Sequence, residues 1–289
     1  MSVSAISGGA PDRYAVVGDP ISHSKSPLIH RLFAEQTGQN LVYEAIRIDS
    51  EETTFQAQIA RLKAQGLKGL NITVPYKLDA FETANALSPR AQLAQAVNTY
   101  VFREDGSIFG DNTDGAGLVM DIEQNGMRLF KDQRVLILGA GGAVQGILKP
   151  LLDKQPSLIH IANRTAQRAK VLGERFDTHV PISASGWDDI PAEAFDIIIN
   201  GTSASLDGKL PPVTHTVIGA HSLVYDMMYG AQPTVFLNWA QQHQPTCQRM
   251  DGLGMLVGQA AEAFYLWRGI YPKTKPVIEE VRRLIQQAC

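Results

Sequence analysis

Cysteine is scarce in this chain: there are two in 289 residues, Cys247 and the final residue, Cys289. That leaves no disulfide framework and no thiolate metal set, and it suits a reducing cytosol. The seven histidines show no HExxH or similar ligand spacing, so no metal is expected. Charge of one sign is also lacking. A net charge of −3 and a pI near 6.2 give no basic field for nucleic acid or an anionic membrane surface. A local cationic pocket for a charged metabolite stays compatible with that balance. Long apolar runs are missing too: the longest, such as 135–138 and 197–199, fall far short of the roughly 20 residues a bilayer demands. The first dozen residues are small and polar without an apolar centre, and they read as a flexible lead-in rather than a signal peptide.

What is present is 44% hydrophobic residue content, enough for a sizeable core, and a length that suggests two domains. Strand-like runs alternate with helical ones, which points to an α/β fold of parallel sheets covered by helices. Strands are expected at 14–17, 41–48 and 69–74. A helix should open at Ser26-Pro27 with Ser26 as N-cap, and another should follow a Ser50 cap, burying Phe55, Ile59 and Leu62. Helices at 77–86 and 89–96, the second capped by Ser88, lead to a hairpin over 98–112 that turns at Asp105-Gly106. A helix over 115–124 ends at Gly126. Buried strands then read at 134–138, 158–162, 195–200 and 223–226, as a parallel sheet requires. Pro150 predicts a kink in the helix after the first of them. Two long helices, 254–267 and 276–287, have no strand after them and should pack back on the N-terminal domain.

Gly139-Ala140-Gly141-Gly142-Ala143 follows a buried strand and opens a helix, so its backbone N–H groups can meet a pyrophosphate. The run departs from G-x-G-x-x-G, with Val144 in the third glycine position. An NAD site would place Asp or Glu at the end of the next strand. Here stand Asn163-Arg164-Thr165, with Arg168 one turn on and no carboxylate. Two guanidiniums and a hydroxyl suit a 2′-phosphate, which indicates NADP.

Two polar clusters mark the chemical site. The run 22–27, Ser-His-Ser-Lys-Ser-Pro, stands at a helix mouth, where hydroxyls and free N–H groups can hold an anion. Ser26 also serves there as a cap, whereas Ser24 has no such structural duty. In the run 71–77, Asn-Ile-Thr-Val-Pro-Tyr-Lys, alternation puts Asn71 and Thr73 on one strand face. Lys77 falls at the strand's C-terminal end, where α/β sheets take ligands, although taken alone an exposed surface lysine is the commoner outcome. Asn98 and the run 110–115, Gly-Asp-Asn-Thr-Asp-Gly, complete a cleft, and Asp114 either lines it or caps the helix behind it.

These motifs, with 96–99 (Ala-Val-Asn-Thr), 200–203 (Asn-Gly-Thr-Ser), 225–227 (Tyr-Asp-Met) and 251–256 (Asp-Gly-Leu-Gly-Met-Leu), resemble the shikimate dehydrogenase family in order and over nearly the whole chain. The resemblance implies a substrate domain over 1–113 completed by 252–289, and a Rossmann-like doubly wound NADP domain over 114–251. It implies reversible NADPH-dependent reduction of 3-dehydroshikimate to shikimate, within chorismate and aromatic amino-acid biosynthesis, by a cytoplasmic monomer or homodimer. By carry-over, Ser24 and Ser26 would hold the substrate carboxylate. Thr73, Asn98, Tyr229 and Gln259 would contact the carboxylate or the ring hydroxyls. Lys77 and Asp114 would form the catalytic pair, with the proton-transferring member left open. Residues 139–143 would take the pyrophosphate, Asn163, Arg164, Thr165 and Arg168 the 2′-phosphate, and Met227 and Gly252 the nicotinamide side. Gly201 stands where the family more often has alanine or cysteine. The rival readings are a quinate/shikimate dehydrogenase using NAD, which predicts an acidic residue near Asn163, and a non-catalytic sensor of dinucleotide and metabolite.

Overall fold

The computed structural model describes residues 9–49, 51–176 and 178–287, so the first eight residues of the expected lead-in, Ser50 and Cys289 lie outside the described residues. The chain forms two compact units: Met1–Thr113 with Gln259–Val281, and Asp114–Gly258 with Arg282–Cys289.

The first unit holds strands β1 (Asp12–Gly18), β2 (Leu41–Arg47), β3 (Leu67–Ile72), β4 (Ala86–Leu87), β5 (Thr99–Phe102) and β6 (Ile108–Asp111), in spatial order β2-β1-β3-β5-β6-β4. β1 runs parallel to β2 and to β3, with Val17 opposite both Ile46 and Ile72. β5 and β6 form the antiparallel hairpin, paired from Thr99 with Asp111 to Phe102 with Ile108. Its helices are α1 (Ser26–Thr37), α2 (Phe55–Ala64), α3 (Lys77–Thr83) and α4 (Pro89–Ala94). Phe55, Ile59 and Leu62 are buried as their spacing predicts, packing with Leu70 and Tyr100 in the core. The cap of α2 is Thr54, whose hydroxyl accepts from the Ala57 N–H at 3.2 Å, so the helix opens later than a Ser50 cap implies. Ser88 caps α4 as expected. The predicted strand over 69–74 stops at Ile72, because Thr73 and Val74 enter a turn to the cis Val74–Pro75 peptide. A helical segment of this unit closes over the sheet. Trp267 stacks on Tyr14 at 4.6 Å and its indole N–H donates to the Tyr100 carbonyl at 2.8 Å.

The second unit has six parallel strands: β7 (Arg134–Leu138), β8 (Leu158–Ala162), β9 (Ile182–Ser185), β10 (Phe195–Asn200), β11 (Ile218–Asp226) and β12 (Gln248–Asp251). Their order, β12-β11-β10-β7-β8-β9, is the doubly wound Rossmann arrangement, reversing between β7 and β10. The helices are α5 (Asp114–Met120), α6 (Gly142–Leu152), α7 (Ala166–Glu174) and α8 (Val235–His243). Two more, α9 (Leu253–Arg268) and α10 (Thr274–Gln287), contribute residues to both units. α6 runs through Pro150 as far as Leu152, and α5 passes at Asp121 into a π-helical turn ended by Gly126. β9 and β12 have no counterpart in the sequence reading. Both are four-residue edge strands, mostly outside the core, so they lack the apolar run that marks β7 and β10.

Candidate functional site

In the first unit the chain leaves β1 for β2 on one side and returns to β3 on the other. The C-terminal ends of β1 and β3 therefore flank a topological switch point, the place where open α/β sheets bind ligands. The two loops there are sewn together by backbone. The Thr73 N–H donates to the Val17 carbonyl at 2.9 Å, and the Asp19 N–H to the Val74 carbonyl at 3.0 Å. Both loops carry a cis proline, Pro20 and Pro75.

Ser24 and Ser26 leave the end of β1. The expectation that Ser26 caps α1 is corrected: Ser26 is the first helical residue, Lys25 holds the cap position, and Ser26 is buried. Pro27 fixes the start one residue earlier, and the Ser24 hydroxyl accepts the Ser26 N–H at 3.3 Å. Ser24 thus has the structural duty the sequence did not reveal. Thr73 and Lys77 follow β3 and are half-buried. Lys77 opens α3, and its carbonyl accepts the Val97 N–H at 2.9 Å, which brings it beside Asn98. The Asn98 carbonyl accepts from Ile72 at 2.8 Å, and its buried side-chain Oδ1 accepts the Thr113 N–H at 2.9 Å. The structure thus gathers Ser24, Ser26, Thr73, Lys77 and Asn98 around one end of one sheet. Gln259, half-buried in α9, belongs to the same unit.

A salt bridge that sequence reasoning missed stiffens this region. Asp111 accepts from Arg90 Nε at 2.8 Å and Nη2 at 2.6 Å, from Ser88 and from the Asn112 N–H at 2.7 Å. Burial alone would raise its pKa, but Arg90, Ser88 and that N–H together hold it below the usual carboxylate value. Arg90 sits near the start of a helix, 21 residues from its partner, so no local spacing advertised the pair.

In the second unit, Asp114 is buried as the first residue of α5 rather than a cap outside it. Gly139 ends β7 with φ 109°, a left-handed value open to glycine, and its N–H donates to the Ala162 carbonyl at 2.7 Å. Gly141 and Gly142 start α6 exposed, and a Cβ on either would meet nothing within 4 Å. Ala140 is half-buried and Ala143 exposed. Open space over bare N–H groups at a helix N-terminus fits a pyrophosphate. At the end of β8, Asn163 Nδ2 donates to the Thr165 carbonyl at 3.0 Å, while Arg164, Thr165 and Arg168 are exposed. Thr165 occupies the cap of α7 without a side-chain cap bond, and residues 162–168 contain no carboxylate. The donor set fits a 2′-phosphate.

Met227 and Gly252 leave the adjacent strands β11 and β12. They pack so closely that a Cβ on Gly252 would collide with the Met227 carbonyl oxygen. Their loop is anchored by Asp226, fully buried, which accepts from Asn200 Nδ2 at 3.2 Å, the Met228 N–H at 3.1 Å, Ser205 at 2.7 Å and Thr234 at 2.6 Å. Tyr229 is half-buried, and burial with the nearby Asp251 carboxylate raises its pKa. Among the described residues, no group of His, Cys, Asp and Glu could hold a metal ion, and no helix is long and apolar enough to cross a membrane.

Three family models match in chain order. They are the shikimate dehydrogenase substrate binding domain over residues 16–100, shikimate / quinate 5-dehydrogenase over 121–207, and the shikimate 5′-dehydrogenase C-terminal domain over 252–282. The shikimate dehydrogenase (NADP(+)) of Hydrogenovibrio crunogenus is 72% identical over 275 residues, covering 95% of this chain and 99% of its own. The enzyme of the same name from Cellvibrio japonicus is 52% identical, with 96% and 99% covered. The crystal structure of shikimate 5-dehydrogenase from Thermus thermophilus, in complex with NADP(H) and shikimate, is 30% identical with a TM-score of 0.81, covering 94% of this chain and 99% of that one. The fold agrees with these relationships, and the chain belongs to the shikimate dehydrogenase family.

Proposed function

We propose that this chain reversibly reduces 3-dehydroshikimate to shikimate with NADPH, and that Lys77 and Asp114 form its catalytic pair. The observation that carries the reading is the 72% identity to an NADP(+)-dependent shikimate dehydrogenase along nearly its whole length. The first unit is the substrate-binding and catalytic domain, and the second is the NADP-binding domain. NADPH, when bound, supplies the hydride. Residues 139–143 hold its pyrophosphate, Asn163, Arg164, Thr165 and Arg168 its 2′-phosphate, and Met227 and Gly252 border its nicotinamide.

Ser24 and Ser26 donate to the substrate carboxylate from the mouth of α1, where the positive end of the helix dipole favours an anion. Thr73, Asn98, Tyr229 and Gln259 orient the ring through its carboxylate and hydroxyls. Reduction of a ketone develops negative charge on its oxygen, and the Lys77 ammonium stabilises that charge and delivers a proton. Asp114 is the second member of the pair and serves Lys77 in that step. In the oxidative direction the same pair removes the hydroxyl proton. The reaction belongs to aromatic amino-acid biosynthesis in the cytoplasm.

The test follows absorbance at 340 nm with purified protein and shikimate plus NADP, then quinate plus NAD. Rapid turnover with the first pair and at least about tenfold lower kcat/KM with the second is expected, because two guanidiniums recognise a phosphate that NAD lacks. Equal or faster turnover of quinate with NAD would move the assignment to the catabolic reaction. Silence with every pair from folded protein would leave a non-catalytic sensor.

A further inference from the structure

We propose that Tyr43, on β2, is a positioning residue for Asn98: a hydrogen-bond chain that starts at its hydroxyl fixes which end of the Asn98 amide a substrate meets. The proposal rests on the reading of Asn98 as a substrate contact.

The chain has one direction. The Tyr43 hydroxyl donates to Asn71 Oδ1 at 2.7 Å. Asn71 Nδ2 donates to Thr99 Oγ1 at 3.0 Å and to the Asn98 carbonyl at 3.3 Å. Thr99 accepts from Asn71, so its own proton is available to Asn98 Oδ1, 2.9 Å away. The Thr113 N–H at 2.9 Å and the Thr113 hydroxyl at 3.1 Å reach the same oxygen. An amide offers one acceptor atom and one donor atom, and here the acceptor is committed within the protein. Whatever oxygen Asn98 engages on a substrate, it therefore engages as an N–H donor. A hydroxyl or ketone oxygen satisfies that polarity.

Tyr43 is suited to start the chain. Its ring lies flat against His30, centroids 4.1 Å apart and planes 7° from parallel, with Trp267 6.2 Å away. Burial raises the phenol well above its ordinary pKa, against the lowering effect of the Ser26 hydroxyl upon it. The phenol so keeps its proton well into the alkaline range, and the polarity of the chain does not reverse. The contact with Ser26 also ties the same hydroxyl to the mouth of α1. Tyr43→Phe deletes one atom and leaves Asn71 Oδ1, in a buried side chain, without this donor, which frees the Asn71 amide to turn.

The test compares wild type, Tyr43→Phe, Asn98→Ala and the double variant as full-length proteins. Tyr43→Phe should raise the shikimate KM about three- to tenfold, the worth of one neutral hydrogen bond, with the NADP KM within about twofold. In the Asn98→Ala background the Tyr43 substitution should add nothing. Thr99→Val, which cuts the chain at its middle link without touching the aromatic stack, should match Tyr43→Phe, so misfolding of one variant leaves the other to decide. Independently of turnover, NMR of the unliganded protein should show faster solvent exchange of the Asn71 and Asn98 side-chain amide protons in either variant, with those of Asn200 unchanged. An unchanged shikimate KM, full additivity with Asn98→Ala, or unchanged amide exchange would overturn the proposal. If wild type fails to oxidise shikimate, the functional reading falls while amide exchange still decides the chain.

Discussion

His30 shows no exposed surface and lies among Tyr43, Phe33, Phe264 and Trp267. Burial pushes its pKa from 6.5 down to about 3, against a smaller opposing effect of Asn71. The unfolded chain then takes a proton below about pH 6.5 that the native chain refuses until about pH 3. Stability is therefore complete above pH 6.5 and declines as pH falls through that window, by about 2 kcal/mol between pH 6.5 and 5 from this group. Urea unfolding across that range should show His30→Leu losing about 2 kcal/mol less than wild type. Parallel losses in the two proteins would show that the imidazole titrates normally. Side-chain pairs at this scale were mostly illegible in the sequence. Nothing in the spacing of His30 and Tyr43, or of Arg90 and Asp111, foretells contact, because each pair meets only when the sheet is assembled. Val144, which departs from G-x-G-x-x-G, and Gly201, which departs from the commonest family pattern, prove to be coupled. The Val144 Cγ2 lies 2.5 Å from where a Cβ on residue 201 would stand, so the glycine makes room for the valine.

At the scale of elements, the strand–turn–helix of β7 and α6 and the buried runs of β8 and β10 were legible because parallel strands are apolar throughout. β9 and β12 were not, since edge strands can remain polar. The start of α1 was misplaced by one residue, which makes the Ser26 N–H a donor and moves the accepting hydroxyl to Ser24. In the proposed function the start of α7 carries the cofactor preference: Arg164 precedes its cap and Arg168 lies in its first turn, both exposed. Replacing both by alanine should raise the NADP KM by roughly tenfold or more, because charge-assisted hydrogen bonds are the stronger class. The NAD KM should move far less. Steady-state kinetics with both cofactors tests this, and an equal rise for both would assign the arginines a role unrelated to the 2′-phosphate.

Over the whole molecule there are two sheets of different topology, and the proposed function gives one half of the chemistry to each. Both use the same rule, since loops at a switch point gather polar residues from distant parts of the sequence. That rule made the alternating pattern and the polar clusters readable as α/β units with a ligand site, whereas the distribution of α9 and α10 between the units was beyond what periodicity reports. The central proposal is that Lys77, the first residue of α3, stabilises the charge and transfers the proton at the reacting oxygen. The decisive measurement is the steady-state kinetics of Lys77→Ala in shikimate oxidation with NADP. A kcat reduced by about a hundredfold or more is expected, in line with loss of a general acid–base, with the shikimate KM shifted by less than about fivefold. A kcat near that of wild type, or a loss carried by KM alone, would contradict it.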